Sequence, residues 1–371
     1  MNPIKLCVAL TALLLTTQAQ AAAPLYSVTE IGLLPGYGSS RAYDINNNGQ
    51  VVGHVANGSN LSHPTRAILW ENGVITDLGT LGGTQSSASS INAAGQVAGT
   101  VFNSDNKARA VYWSNGEIHD LGTLGGTPYD NSYGLGINNS GQVVGYAASP
   151  VVSNGSDQAF LWDGENLNNL NPNGTPLSHA YAINNLGDVV GASWAGQAQA
   201  YVWIGGIGHY LNTPSSTSSY AWDINDNRQV VGAVSLNSHG GSNPFIWTEA
   251  DGMVVIPNLP NASICSAYGI NSTGQVVGEC SMSGANHSFL WSDGVLTDLN
   301  DLIDPASGWW ISEARAINDQ GQIVGHGVNA DGEIRGFVLT LPVPEPETYA
   351  MMLAGLALVG VVARHRKKSE S

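Results

Sequence analysis

The sequence predicts an all-β fold, a seven-bladed β-propeller built from four-stranded repeats of about 46 residues. Three observations predict it. First, the segment INNNGQVVG at Ile45 returns as INAAGQVAG at Ile91, INNSGQVVG at Ile137, INNLGDVVG at Ile183, INDNRQVVG at Ile224, INSTGQVVG at Ile270 and INDQGQIVG at Ile317. The spacings are 46, 46, 46, 41, 46 and 47 residues, a period that marks an array of one supersecondary unit. Second, each unit holds four short segments rich in β-branched and aromatic residues, bounded by Gly and Asn, which read as strands and turns. Third, the seventh unit stops after its third strand, at Thr340-Leu341-Pro342. The missing fourth strand stands at the other end of the chain, where YSVTEIGLLPG from Tyr26 is similar to VITDLGTLGG from Val74.

Taken from the amino end, Met1–Ala21 has a Lys5 n-region, an apolar run from Leu6 to Leu15 and a small-x-small site, Ala19-Gln20-Ala21. That is the pattern of a secretory signal peptide, so the mature chain is expected to begin near Ala22, and Cys7 is lost with the leader. Residues 26–36 then supply the strand that completes the last blade and closes the ring, removing an exposed sheet edge. An open solenoid is the second reading. The repeats start near 39, 85, 131, 177, 218, 264 and 311 and fill residues 24–342.

Inside a repeat, the first strand carries a small residue three before the isoleucine: Ala42, Ala88, Gly134, Ala180, Ala221, Ala267 and Ala314. The Ile-Asn-x-x-Gly-Gln turn follows, with Asn starting the turn and Gly taking a positive φ, as in a hairpin with a type I turn and a G1 bulge. Val-Val-Gly makes the second strand. The third ends in Trp70, Trp113, Trp162, Trp203, Trp247 or Trp291, with Leu339 in the last unit, and one large aromatic per blade reads as core packing. Tyr43, Tyr181, Trp222 and Tyr268, two before an isoleucine, read the same way, with a sugar-stacking platform as the alternative.

The turn is not a phosphate cradle, because neither GxGxxG nor Walker spacing before a helix is present. Asp44, Asn46 and Asn48 do resemble the start of a calcium loop, although Asn57 stands where a twelfth-position Glu belongs and only Asp223 repeats Asp44. A second metal candidate is His54, Glu279 and His326, which follow Val-Val-Gly in units one, six and seven and fall on one arc of a closed ring. Cys265 and Cys280 flank the sixth hairpin at equal distances from its turn. Directly opposed cross-strand Cα atoms lie about 4.5–5.5 Å apart, within reach of a disulfide, and secretion supplies the oxidising compartment. Two buried free thiols are the alternative.

At the carboxyl end, Pro344-Glu345-Pro346 precedes an apolar run, residues 349–363, and the basic cluster Arg364, Arg366, Lys367 and Lys368. A helix of that length spans about 22 Å, short of the ~30 Å hydrocarbon core, and snorkelling side chains with local thinning cover the rest. The basic tail stays in the cytoplasm and the preceding domain outside, anchored in the inner membrane. These three parts in this order resemble the PEP-CTERM sorting signal of Gram-negative bacteria. That resemblance implies an exosortase-type processing enzyme as partner and an association with exopolysaccharide and biofilm. The repeats resemble the HAF repeats of bacterial extracellular proteins in DLGTLGG and INxxGQVVG, but Gln158-Ala159-Phe160 and His287-Ser288-Phe289 depart from the His-Ala-Phe triplet. That resemblance implies location and repeat architecture and no activity.

Composition narrows the function further. Apolar residues make up 43%, which excludes a disordered chain. Between residues 24 and 342 seven Lys and Arg stand against 25 Asp and Glu, a net charge of about −18 that repels nucleic acid and anionic lipid. No Gly-x-Ser-x-Gly, His-Glu-x-x-His or paired-carboxylate signature is present, and no cofactor is expected. The expectation is a non-enzymatic, exported surface or matrix protein that binds exopolysaccharide or another surface component. The variable loops on one face, 55–65, 101–108, 147–157 and 234–243, are its expected binding surface. A secreted polysaccharide lyase or hydrolase is the alternative, discriminated by a carboxylate/Tyr/His cluster in the central funnel. A spacer in a surface assembly is the third.

Overall fold

A computed structural model describes residues 25–58, 65–125, 130–149, 157–171, 177–194, 196–211, 218–236 and 241–342. The signal peptide, the Pro-Glu-Pro motif, the apolar run 349–363 and the basic cluster lie outside the described residues, as do parts of the loops 55–65, 147–157 and 234–243. Among the described residues no helix is long and apolar enough to cross a membrane. Tyr26–Leu341 forms one compact unit.

The described residues build seven four-stranded antiparallel sheets, the blades of a β-propeller. Blade one shows the plan. Its inner strand β2 (Ser39–Ile45) pairs with β3 (Val51–Ala56), then β4 (Thr65–Glu71), then the short outer strand β5 (Val74–Asp77). The ring closes as the sequence predicts. Strand β1 (Ser27–Ile31) pairs with Ile334–Thr340 of blade seven, Ser27 opposite Thr340 and Ile31 opposite Gly336. Two 3-10 turns, Leu299–Leu302 and Pro305–Ser307, follow blade six and were not anticipated. Asp298 and Asp304 cap them by accepting the N–H groups of Asn300 and Ala306.

Of the recurring tryptophans, Trp70, Trp113 and Trp203 are buried, and Trp162, Trp247 and Trp291 are half-buried against the same apolar clusters. Each lies opposite the first valine of its second strand, as Val51 opposite Trp70 and Val189 opposite Trp203. Trp203 is 2% exposed and packs with Val144, Ala159, Ala180 and Ile183, residues of blades three and four. Blade faces are therefore apolar on both sides, which is why the third strands read AFLW rather than alternating.

The Ile-Asn turn joins the blades as well as the strands. Asn46 N–H donates to Gln50 and Gly49 N–H returns to Asn46, the hydrogen bonds of a type I turn with a G1 bulge. Asn46 Oδ1 accepts from the N–H groups of Asn48 and Gln50, and its Nδ2 donates to Gln50 Oε1. The second Nδ2 hydrogen leaves the blade and reaches the carbonyl of Asn92. Asn92 reaches Asn138, Asn138 reaches Asn184, Asn184 reaches Asn225, Asn225 reaches Asn271, Asn271 reaches Asn318, and Asn318 returns to Asn46. All seven bonds measure 2.9–3.2 Å, and all seven asparagines are buried.

Two adjacent repeats break the pattern and compensate each other. Asp188 replaces the Gln of unit four, and Arg228 replaces the Gly of unit five at φ 59°. In units one, two, three, five and seven the Gln side chain lies against the next blade's turn glycine, as Gln50 against Gly95. Aspartate is shorter, so a side chain fits there, and Arg228 Nε bonds Asp188 Oδ2 at 2.7 Å.

The last glycine of Gly-Gln-Val-Val-Gly serves a different purpose. Every inner strand carries a β-bulge, in blade one between Ala42 and Asp44. It pushes a carbonyl onto the facing strand, so a Cβ at Gly53 would lie 2.0 Å from the oxygen of Arg41, and one at Gly145 would lie 1.8 Å from that of Tyr133. Only glycine admits the bulge.

A serine on the inner strand adds a further joint. Ser40, Ser86, Ser132, Ser178 and Ser219 each accept a backbone N–H from the third strand of the preceding blade at 2.9–3.0 Å. At the fifth junction the donor position is Pro244, which has no N–H, and the serine position is Cys265. Cys265 lies opposite Cys280, with Cα atoms 4.1 Å apart and sulfurs joined at 2.00 Å. Peptide mapping of the secreted protein without reduction is expected to recover 265 and 280 as one cross-linked pair; alkylation of both without reduction would refute the bond. Asn138→Ala removes hydrogen bonds to two blades and leaves buried partners unmade, so unfolding is expected to cost about 2–4 kcal/mol less, measured in denaturant. A loss under about 0.5 kcal/mol would show that the ring does not hold the blades.

Candidate functional site

The seven inner strands surround a central channel. They run from the face that carries the variable loops to the Ile-Asn turns, and the two ends differ. At the turn end the mouth is lined by Ile45, Asn46, Asn47 and their counterparts. The amides of Asn46 and its six counterparts there are already engaged in the ring, so they are not free to hold a ligand.

Higher in the channel, the bulges aim one residue per blade inward: Tyr43, Ser89, Leu135, Tyr181, Trp222, Tyr268 and Arg315. With Tyr146 and His179 they line a cavity of about 440 Å³, within the range of small-ligand pockets. Tyr43, Tyr181, Trp222 and Tyr268 are therefore channel lining, which corrects their reading as core. A bulge redirects them, and only the pairing register shows it.

The wall has two chemistries. Across blades three to five it is aromatic. Tyr133 stacks on Tyr146 with centroids 4.7 Å apart, and Tyr146 stacks on His179 at 3.8 Å. Tyr181 lies 4.5 Å from Trp222, which stacks on Tyr220 at 5.4 Å. Trp222 Nε1 is buried and has no hydrogen-bond partner among the described residues. Burial pushes the Tyr146 hydroxyl up to about 12, keeping it protonated.

Across blades six, seven and one the wall is charged. Tyr268 donates its hydroxyl to Glu279 Oε1 at 2.7 Å, and Asn286 donates to Oε2. The Arg315 guanidinium lies 4.4 Å from the Tyr268 ring and 5.8 Å from the Tyr43 ring, and it pairs with Glu313. Burial, then Glu313, raises the Glu279 carboxyl. Burial pulls Arg315 down, but Glu313, Tyr268, Tyr43 and Glu279 more than offset it and the net shift is upward.

The structure distributes the predicted metal residues differently. Asp44 does not form a calcium loop with Asn46 and Asn48. Its Oδ1 accepts from Ile45 N–H, and its Oδ2 accepts from Ser90 Oγ and Ile91 N–H of the next blade. Asn46 Oδ1 is engaged by its own turn, and Asn48 Nδ2 donates to Ala93. His54, Glu279 and His326 do share the charged arc without converging. Glu279 is held by Tyr268; His326 Nδ1 lies 3.6 Å from Glu313, and His54 meets Ser87 at 3.5 Å and the Tyr43 ring edge-on. Among the described residues no three His, Cys, Asp or Glu side chains gather to hold a metal ion. Burial, with Arg41 second, pushes His54 down to about 4 and His326 to about 3.

Sequence reasoning missed Arg315, Glu313, His179 and Tyr220. A signal existed for one of them: Arg315 occupies, in unit seven, the place two before isoleucine that Tyr or Trp holds in four others.

Asp44 and Asp223 both line the channel below the bulge layer. Burial raises Asp44 to about 6 and Asp223 to about 7, the latter also through Asp44. A raised folded pKa means that the proton binds more tightly in the native state. The stability it contributes is complete below the unfolded value of about 4 and is lost as pH rises through about 7. Asp223→Asn should therefore gain on the parent protein as pH rises from about 5 to about 8, whatever its absolute stability. Denaturant unfolding at both pH values checks this; a pH-independent difference would contradict it.

The PEP-CTERM protein-sorting motif matches residues 342–367. No curated protein sequence matches the chain. Among solved structures, a Mycobacterium tuberculosis puromycin-hydrolyzing peptidase is similar at 12% identity and a TM-score of 0.52. That match covers 85% of this chain and 56% of the peptidase, so this chain spans little more than half its length. The XC5397 gluconolactonase of Xanthomonas campestris has 13% identity and a TM-score of 0.40, with 88% of this chain and 94% of that one covered. A Trypanosoma rangeli sialidase has 10% identity and a TM-score of 0.41, covering 85% and 58%. The first of these likenesses supports the propeller fold alone.

Proposed function

We propose that this is an exported surface protein that binds a saccharide, without turning it over, in the cavity opposite the Ile-Asn turns. The sorting motif at 342–367 marks an exported protein anchored at its C-terminus before processing. An exosortase-type enzyme is its processing partner, and the inner membrane holds it until then. The repeat resemblance to HAF proteins supports the same address.

The observation that carries the binding reading is the aromatic wall. Sugar rings present C–H faces that pack on aromatic rings, and their hydroxyls need scattered donors and acceptors. Tyr181, Trp222 and Tyr220 supply the faces, and the unpartnered Trp222 Nε1 supplies a donor. The loop 101–108 joins the second and third strands of blade two on the same face, where a longer polysaccharide would continue.

A second reading has its own observation. Burial, with Glu313 second, raises the Glu279 carboxyl, and a raised carboxyl beside a second one is the arrangement general acid catalysis uses. Glu279 is held by Tyr268 and Asn286 and Glu313 is paired with Arg315, so the cluster expected of a secreted polysaccharide lyase or hydrolase is engaged within the protein and this reading stands second.

A glycan array followed by calorimetry tests the proposal. Binding without product is expected, and Trp222→Ala should weaken it by about tenfold or more with the thermal transition retained. Product formation that Glu279→Gln abolishes would replace the binding reading with the enzymatic one. Full affinity in Trp222→Ala would remove the cavity from the account.

A further inference from the structure

Five of the six arginines among the described residues have a carboxylate within 4 Å: Arg66 with Asp77, Arg109 with Asp120, Arg228 with Asp188, Arg315 with Glu313 and Arg335 with Glu30. Arg41 has none among those residues. This is unusual in a chain with 28 acidic and 12 basic residues, where acidic partners are abundant. Arg41 is half-buried on the inner strand of blade one, directly opposite His54. Its positive charge acts on Tyr43, His54 and His326, which places it on the charged arc of the channel.

Two more polar groups stand unsatisfied there. His54 is 2% exposed and its Nε2 has no partner among the described residues. His326 is 9% exposed, and its Nδ1 lies 3.6 Å from Glu313, beyond a hydrogen bond. Burial and the Arg41 charge keep both rings neutral at pH 7, so each offers one N–H. A lone guanidinium flanked by neutral imidazole donors fits an anion of one charge. A polyanion does not fit, because the surrounding chain repels it. A metal ion does not fit beside an unneutralised arginine. The Tyr43 ring, which lines the cavity, is 5.2 Å from the His54 ring, so this group sits at the edge of the same cavity.

We infer that the saccharide is acidic: a uronic acid whose carboxylate is bound by Arg41 with His54 and His326, while a ring of the chain rests on the aromatic wall at Trp222. This rests on the saccharide reading above and goes further by naming the substrate class. Arg41 is fitted to the task because a guanidinium presents two parallel N–H donors to a carboxylate.

The test uses the secreted protein and a panel of otherwise neutral oligosaccharides that each carry a single glucuronate, galacturonate or mannuronate residue, each beside its carboxyl-reduced neutral counterpart, in isothermal titration calorimetry. At least one acidic member should bind about tenfold or more tightly than its reduced form. Arg41→Gln should bring that ratio to about one, and Arg41→Lys, which keeps the charge without the fork, should restore part of it. Equal affinity for acidic and reduced forms, or a ratio untouched by Arg41→Gln in a variant that melts like the parent, would overturn the inference and leave saccharide binding standing. Failure of every acidic and neutral member to bind would overturn both.

Discussion

The fold depends on a closed circle of seven asparagine side chains. A propeller blade buries both faces against its neighbours, so apolar packing pulls blades together but does not by itself fix their number or relative height. The Asn Nδ2-to-carbonyl bond sets the relative height, because each blade donates to the next and the seventh returns to the first, while the seven repeats set the number. The same side chain closes its own hairpin through Oδ1. One residue type thus ties local turn, blade register and ring closure together, and removing it at one point leaves unmade partners in two blades.

This joint dictates where chemistry can happen. Amides committed to the ring make the turn end of the channel structural. At the other end, each inner strand carries a bulge. Each bulge presents a side chain that the fold does not need for packing. Glycine at the end of Val-Val-Gly is the condition for this, since a Cβ there would meet the bulged carbonyl. The repeat therefore specifies seven equivalent inward positions and leaves their identity free. The chain uses that freedom asymmetrically, with Tyr181 and Trp222 on one side and Tyr268 and Arg315 on the other.

Most of the architecture was legible in the sequence because it is periodic. Blade number follows from the Ile-Asn spacing, ring closure from the truncated seventh unit, and the opposition of 265 and 280 from hairpin symmetry. The channel wall was not legible for a physical reason. A bulge shifts the inside/outside alternation by one, so Tyr43 and Trp222, which pattern as core, face the cavity. The Asp188–Arg228 pair was hidden likewise. Each departure looks like drift until the contact between neighbouring repeats shows them to be one exchange. The serine joints share that property, and the place where Pro244 removes the donor is the place where Cys265 stands.

The central claim is a division of labour: one end of the channel is a joint and the other holds the ligand. Its most direct measurement is a crystal structure of the secreted protein soaked with an acidic oligosaccharide. Sugar density against Trp222 with a carboxylate at Arg41, and the asparagine circle intact beneath it, is the expected result. Density in the mouth lined by Asn47, Asn139 and Asp319, with asparagine bonds broken to receive it, would contradict the claim.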